Sequence, residues 1–219
     1  GQGEAALDAS RRAAELARQS LRDREDQRDR RLIRRIRQGD DRAFEELVRH
    51  YQDRVFGLTL RMLTNRQEAE DVAQEVFLSV HRAIHGWRGE GRFYTWLYRV
   101  ATNHCKNRIK YLKGRNFHRA SPVEETPEAH LQAGGPGISL QSHVPGPEAV
   151  VEGDRLQRAI AAELAALDPE HRLLIVLRDV QGLPYEEILR ITGLQEGTLK
   201  SRLHRARIAL KERLAPYLR

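Results

Sequence analysis

The chain has 219 residues, enough for two small domains of ordinary size, each with its own core. Hydrophobic residues make up 40%, aromatics 6% and charged residues 32%, so the cores are drawn from Leu, Ile, Val and Ala, and helices are favoured over sheets. The net charge of +7 points to a polyanionic partner, while the single cysteine, Cys105, excludes a disulfide framework and a multi-cysteine zinc site and suits a reducing cytoplasm. No apolar run approaches the roughly 20 residues that cross a bilayer, and no signal-peptide pattern opens the chain. Stable membrane insertion is therefore not expected. Met62 is the only methionine, which reads as a chain whose native start is absent.

Residues 1–30 read as a charged N-terminal extension. Between positions 4 and 30 seven basic residues alternate with seven acidic ones around sparse Ala and Leu, as in a solvated, marginal helix or a disordered arm. From Leu32 the apolar spacing becomes helical and denser. Phe44, Leu47, Val48, Tyr51, Val55 and Leu58 trace one face, after the capping candidates Asp40 and Asp41. Asn65 starts another helix, with Glu68 three residues on and Ala69, Val72, Ala73, Val76 and Val80 as its buried face. A loop with Gly86, Gly89 and Gly91 follows, then a helix from about Thr95 to Leu112, stopped by Gly114.

Residues 119–152 are rich in Pro and Gly, carry five glutamates, and have no Lys or Arg after Arg119. They read as a flexible acidic linker between a first domain at 31–118 and a second at 153–219. In the second domain Leu156, Ile160, Leu164 and Leu167 form one stripe. Asp168-Pro169 caps the next helix, and Gly182 stops it. The fold class is all-α: two small helical domains on one flexible joint.

Charge is segregated along the first domain. Between His81 and Arg115 nine cations stand against Glu90 alone, interleaved with Trp87, Phe93, Tyr94, Trp96, Tyr98 and Tyr111. Phosphates need countercharge and unstacked bases need a flat partner, so this mixture suits single-stranded nucleic acid. Trp96 and Tyr98 fit the core equally well; Trp87 and Phe93, flanking the glycine loop, read as exposed. Residues 40–80 reverse the sign, with nine carboxylates against five arginines. There Asp71, Gln74, Glu75 and Leu78 fall away from the core stripe as an acidic ridge. DNA would repel that ridge, so it suits a protein partner.

Residues 184–214 carry a helix-turn-helix. Tyr185, Ile188 and Leu189 begin a short helix, Thr192-Gly193-Leu194 make the turn, and a second helix starts near Gln195. On that helix Leu199, Leu203, Ala206 and Leu210 share a narrow arc. Gly197, Ser201, His204 and Arg205 lie opposite, flanked by Lys200, Arg202 and Arg207. Short polar and basic groups facing a groove, with cations beside them for phosphates, are the layout of a recognition helix.

Three segments together resemble the extracytoplasmic-function (ECF) sigma factors of bacteria, the envelope-stress type most of all. They are the stretch from Trp87 to Asn103, Ala69-Glu-Asp-Val-Ala-Gln-Glu-Val-Phe-Leu78, and Gly197-Thr-Leu-Lys-Ser-Arg-Leu-His-Arg-Ala-Arg207. The resemblance covers about residues 31–115 and 153–214, as sigma regions two and four without region three. It implies that Asp71, Gln74, Glu75 and Leu78 bind core RNA polymerase. It implies that Trp87, Arg88, Arg92 and Phe93, with Asn103 and Lys106 behind them, capture melted bases of the downstream promoter element. Lys200, Ser201, Arg202, His204, Arg205 and Arg207 would engage the upstream duplex. The linker looks like the segment that threads the polymerase RNA channel in this family, and an anti-sigma factor is an implied partner. The chain departs from the family pattern at Gly91, Pro184 and Leu189, the last replacing a small alanine between the two helices.

Two other readings compete. An autonomous helix-turn-helix transcription regulator would leave the acidic ridge and aromatic loop unexplained. A metal-dependent nuclease could draw on His81, His85, His104, Cys105 and His118. The spacing lacks a His-Glu-x-x-His pattern, a phosphate loop and a second carboxylate set. No catalytic residue, metal or cofactor is therefore assigned.

Overall fold

The computed structural model describes residues 2–120 and 151–217. Among them every regular element is helical: α1 (Gln2–Arg37), α2 (Asp41–Leu63), α3 (Arg66–Ala83), α4 (Phe93–Ala120), α5 (Val151–Ala165), α6 (Pro169–Ile175), α7 (Tyr185–Thr192) and α8 (Glu196–Leu214). No helix among the described residues is long and apolar enough to cross a membrane. The expected linker falls mostly on 121–150, outside the described residues. Its two ends are helical, in α4 and α5.

Local chemistry sets most of these helices. The Asp40 side chain caps α2 by accepting from the Ala43 amide, and Asn65 caps α3 by accepting from the Glu68 amide at 3.0 Å. Both helices bury the faces expected of them, α3 adding Phe77. α4 begins at Phe93, two residues earlier than the spacing suggests, and continues through Gly114 to Ala120. A glycine inside a helix costs only about 1 kcal/mol, too little to stop one that neighbouring residues sustain.

The larger departure is α1. In place of a solvated, marginal helix or a disordered arm, residues 2–37 form one helix whose second half packs on α2 and α4. Leu32, Ile33 and Ile36 enter the core, and the buried Asp29 accepts a hydrogen bond from the Tyr51 hydroxyl. Arg28 pairs with the same carboxylate at 2.8 Å. Burial still holds the Asp29 carboxyl above its ordinary value, and burial beside Asp29 raises the Tyr51 phenol. Glu25 reaches Arg54 on α2 at 2.6 Å.

In the second unit Asp168 caps α6 by accepting from the Glu170 amide, with Pro169 at the first helical position. One wide, five-residue-ladder turn over Val176–Val180 then carries the chain to Gly182, whose φ is +67°. Leu164 and Leu167 are buried as expected, whereas Ile160 is exposed; the Leu156 side chain lies outside the described residues. Leu173, Leu174, Ile188, Leu199, Leu203 and Ala206 complete this core.

The two cores are continuous. α5 and α6 pack on α2, and α7 packs on α4, so apolar residues from both units belong to one cluster. Arg172 crosses the seam, donating to the Met62 carbonyl at 2.6 Å and to the Leu167 carbonyl at 3.1 Å. Burial lowers its pKa from the ordinary guanidinium value.

Candidate polymerase and promoter interfaces

α3 presents the acidic ridge on the face opposite its apolar stripe. Gln74 and Leu78 are exposed and Asp71 and Glu75 half-buried, so all four share one accessible surface. Asp71 accepts from Gln67 one turn earlier, at 3.0 Å. Glu75 is engaged more deeply. Arg108 on α4 bridges it at 2.6 Å and Glu68 at 2.5 Å, while His104 stands 3.5 Å from its other oxygen. The clasp by Arg108 was not legible in sequence, because the partners lie 33 and 40 positions away. His104 also bonds Ser79 at 3.0 Å, His81 packs edge-on against Phe44, and Cys105 is buried, its thiol pushed up to about 12 by burial. These groups serve separate contacts. Among the described residues no cluster is placed to hold a metal ion.

The aromatic loop is divided between core and surface. Trp87 is half-buried and Arg88 exposed, but Phe93 is only 1% exposed, which corrects the expectation that it faces solvent. Phe93 sits edge-on to Tyr51 at 5.6 Å and to Trp87 at 5.9 Å, so it is the floor on which Trp87 rests. Tyr98 is likewise core, and Trp96 is half-buried against the core. Gly91 has φ +81°, a left-handed conformation that side chains rarely adopt; a glycine suits this position where the family pattern has Ser. Arg30 of α1 donates to the Gly91 carbonyl at 3.2 Å and lies 6.0 Å over the Trp87 ring, and Arg37 donates to the Trp87 carbonyl. Thus the N-terminal helix braces the loop from behind. Arg92 turns away from solvent and pairs with Asp23 of α1 at 2.8 Å. Farther along α4, Arg99, Asn103, Lys106 and Lys110 are exposed at helical spacing and form one polar and cationic stripe.

The helix-turn-helix has the expected turn. Gly193 adopts φ +72° and its amide closes α7 onto the Leu189 carbonyl at 2.8 Å. Pro184 supplies no side-chain cap, but its carbonyl accepts from the Glu187 and Ile188 amides. Leu189 is half-buried and lines a cleft facing the aromatic loop, while Ile188 and Ile191 are buried. On α8, Leu199, Leu203 and Ala206 are buried, and Ser201, His204 and Arg205 are exposed on the other side. The flanking cations are held by carboxylates: Lys200 by Glu196 at 2.5 Å, Arg202 by Glu170 at 2.5 Å, and Arg207 by Asp179 at 2.6 and 3.0 Å. Arg205 has no carboxylate partner among the described residues; its one bond is to the Ser201 carbonyl one turn back.

Residues 47–115 match sigma-70 region 2, and residues 157–210 match sigma-70 region 4. Across nearly the whole chain, the RNA polymerase sigma-H factor of Pseudomonas aeruginosa is 35% identical over 193 residues, covering 88% of this chain and 97% of the relative. The chain belongs to the ECF sigma factors of RNA polymerase. The ECF RNA polymerase sigma-E factor of Haemophilus influenzae is 36% identical, covering 87% and 97%. That of Escherichia coli is 34% identical, covering 86% and 95%. Among solved structures, CnrH in complex with the cytosolic domain of CnrY has a TM-score of 0.59 at 22% identity, covering 86% of this chain and 98% of that one. The sigma factor RpoE in complex with the anti-sigma factor NepR from Bartonella quintana has a TM-score of 0.57 at 20% identity, covering 78% and 96%. These two likenesses establish the fold. As a sigma factor, the protein binds core RNA polymerase and directs promoter-specific initiation, and the autonomous-regulator reading is not favoured.

Proposed function

We propose that this sigma factor divides its work among three surfaces. Asp71, Gln74, Glu75 and Leu78 meet core polymerase. Trp87 and Arg88, with Asn103 and Lys106 on the exposed stripe of α4, receive the melted downstream strand, while Arg92 and Phe93 support that loop from within. Ser201, His204 and Arg205 read the upstream duplex, and Lys200, Arg202 and Arg207 grip its phosphates. The observation that carries this reading is the division of α8: the face opposite its buried seam is exposed and, among the described residues, has no carboxylate partner, whereas every flanking cation is held by one. Groove-facing groups must exchange water for bases, and flanking cations can exchange a protein carboxylate for phosphate.

The described arrangement is a closed form. Trp87 and Gly193 line the same cleft of about 590 Å³, so the loop and the helix-turn-helix sit against each other. Promoter elements about 25 base pairs apart are separated by roughly 85 Å, at 3.4 Å per step. Reading both requires the two regions to part, with the segment between them as tether. The solved relatives bound to CnrY and NepR make an anti-sigma factor the expected regulator of this opening. The protein acts in the cytoplasm and carries no catalytic residue.

Reconstitution tests the assignment. Purified chain and core polymerase should co-elute and give a promoter-specific run-off transcript. Asp71→Lys together with Leu78→Ala should lose co-elution while keeping the helical circular dichroism of the parent. Normal core binding by this double variant would move the polymerase surface elsewhere.

A further inference from the structure

Two neighbouring clefts, of about 790 and 510 Å³, open along the seam where α1 crosses between regions 2 and 4. Arg18, Arg22, Arg178, Tyr94 and Gly182 line both. In the larger cleft the only carboxylates, Glu25 and Asp179, are committed to Arg54 and Arg207, each at 2.6 Å. Arg18 has no hydrogen-bond or ion-pair partner among the described residues. Arg22 donates to the Gly182 carbonyl at 3.0 Å, and Arg178 donates to the Leu183 carbonyl at 2.8 Å while stacking 4.7 Å over the Tyr185 ring. Neither guanidinium has a carboxylate partner among the described residues. The smaller cleft adds Glu15, Glu186 and Glu187, yet cations still outnumber carboxylates there.

A second observation is independent of this charge. The Tyr94 hydroxyl and the Arg92 Nη1 are both buried and make no hydrogen bond of good geometry, the Tyr94 hydroxyl having beside it only the Thr95 hydroxyl, which already donates to Glu187; both residues line the smaller cleft. Tyr94 is 4% exposed, and burial pushes its phenol up to about 12, so it stands as a donor at neutral pH. Buried donors are almost always satisfied, so two orphans in one cationic cleft call for an acceptor. Phosphoryl oxygens accept several such bonds at once, and guanidinium groups match them in pairs.

We infer that this seam is a binding site for a polyphosphate anion of nucleotide size, held by Arg18, Arg22 and Arg178 and by the orphan donors of Tyr94 and Arg92. Each of the two clefts falls in the range of small-ligand sites, roughly 300–1,000 Å³. The ligand would touch α1, α4 and the segment joining α6 to α7. It would therefore favour the closed form over the parted one in proportion to its differential affinity.

Calorimetric titration of the full chain at constant ionic strength tests this, with sodium tripolyphosphate, ATP, GTP and sulfate as probes. Saturable one-to-one binding is expected for tripolyphosphate or a nucleotide, and none for sulfate. Arg18→Glu should weaken it about tenfold or more, and Tyr94→Phe by several-fold, the loss expected for one charge-assisted contact each. Tyr94→Phe should melt like the parent without ligand, since it removes only an unpaired hydroxyl. Arg205→Glu, which takes the same charge from α8, should bind as the parent does. Equal affinity for tripolyphosphate and nucleotides assigns the site to the phosphate chain; tighter nucleotide binding assigns it to a nucleotide. Absence of saturation, or binding that ignores Arg18→Glu and Tyr94→Phe while falling with Arg205→Glu, overturns the inference.

Discussion

The hydroxyl of Thr95, on α4 of region 2, donates to the carboxylate of Glu187, on the first helix of the helix-turn-helix, and both groups are buried. Arg190 stands 3.4 Å and Arg92 4.0 Å from the other carboxylate oxygen, and Tyr98 reaches Gln181 nearby at 2.9 Å. Beside its apolar packing, the contact between regions thus contains a buried carboxylate that depends on its neighbours. Opening exposes that carboxylate to water, which solvates it well; closing requires that every bond to it be made.

Thr95→Val keeps the side-chain shape and removes the donor. Leaving the Glu187 carboxylate short of one bond should cost the closed form about 1–3 kcal/mol. Small-angle scattering of the free chain should show an increase in radius of gyration relative to the parent. Unchanged compactness and unchanged melting would mean that apolar packing alone holds the regions together.

Trp87 and Phe93 separate into contact and support. Phe93→Ala empties a site in the core beside Tyr51 and should destabilise the fold by about 3–5 kcal/mol. Trp87→Ala removes a half-buried ring that rests on Phe93, and should cost less stability than Phe93→Ala. In holoenzyme it should suppress permanganate reactivity of the downstream thymines, by a stacking loss of roughly 1–3 kcal/mol per base. Wild-type footprints from Trp87→Ala would remove this ring from strand capture.

Much of this was legible in the sequence because it is local. Asp40, Asn65 and Asp168 cap within three residues, Gly193 turns within one, and the seam of α8 repeats at helical spacing, so residue type and order suffice. The N-terminal helix was not legible. Its charges look solvated until Tyr51 meets Asp29 and the carbonyls of Gly89 and Gly91 meet Arg30, partners 22 to 61 positions away. The burial of Phe93 is hidden for a related reason: its glycine-rich flank reads as exposed, while the Tyr51 ring on α2 covers it. The exposed ridge of α3 and the exposed face of α8 follow from spacing alone, but the ion pairs beside them, Arg108 to Glu75 and Asp179 to Arg207, join separate elements.

Glu75 illustrates what such a tie does to a mutational test. Glu75→Lys would set an ammonium against Arg108 and should lower thermal stability as well as core binding. Asp71→Lys loses the bond to Gln67 and only a longer-range attraction to Arg108, so it should lower core binding with a smaller penalty. Differential scanning calorimetry beside a core pull-down separates the two effects. Equal melting temperatures for both variants would show that Arg108 does not depend on Glu75.

Asp29 gives a pH signature. Its folded-state pKa is raised, chiefly by burial, so the folded chain holds that proton more tightly than the unfolded chain does. The contribution is fully present below the unfolded value of 3.8 and is lost as the pH rises through the folded value. Asn can still accept from Tyr51 and carries no charge to desolvate. Asp29→Asn should therefore gain on the parent as the pH climbs above 3.8, read as the difference in melting temperature across a pH series. A difference that moves the other way would show that Arg28 outweighs burial.

Arg205 and Arg207 should part reading from gripping. Arg205 projects from the exposed face opposite Leu199, Leu203 and Ala206, and its forked guanidinium fits the acceptors of guanine. Arg205→Ala should weaken the cognate upstream element and relax preference at one or two base pairs, by about 1–3 kcal/mol. Arg207 is held from the side by both oxygens of Asp179, a bond that raises its pKa and that phosphate must replace. Arg207→Ala should weaken all upstream sequences alike and reduce the salt slope by about one unit. Asp179→Ala offers the converse: it releases Arg207 and should strengthen binding to every sequence without changing preference. Lys200 sits between the two classes, paired to Glu196 yet beside Ser201, and its base preference will place it. The measurement is holoenzyme binding to single-base promoter variants at several salt concentrations. If Arg205→Ala costs every variant equally while Arg207→Ala alters preference, α8 enters the groove rotated from the face its buried seam defines.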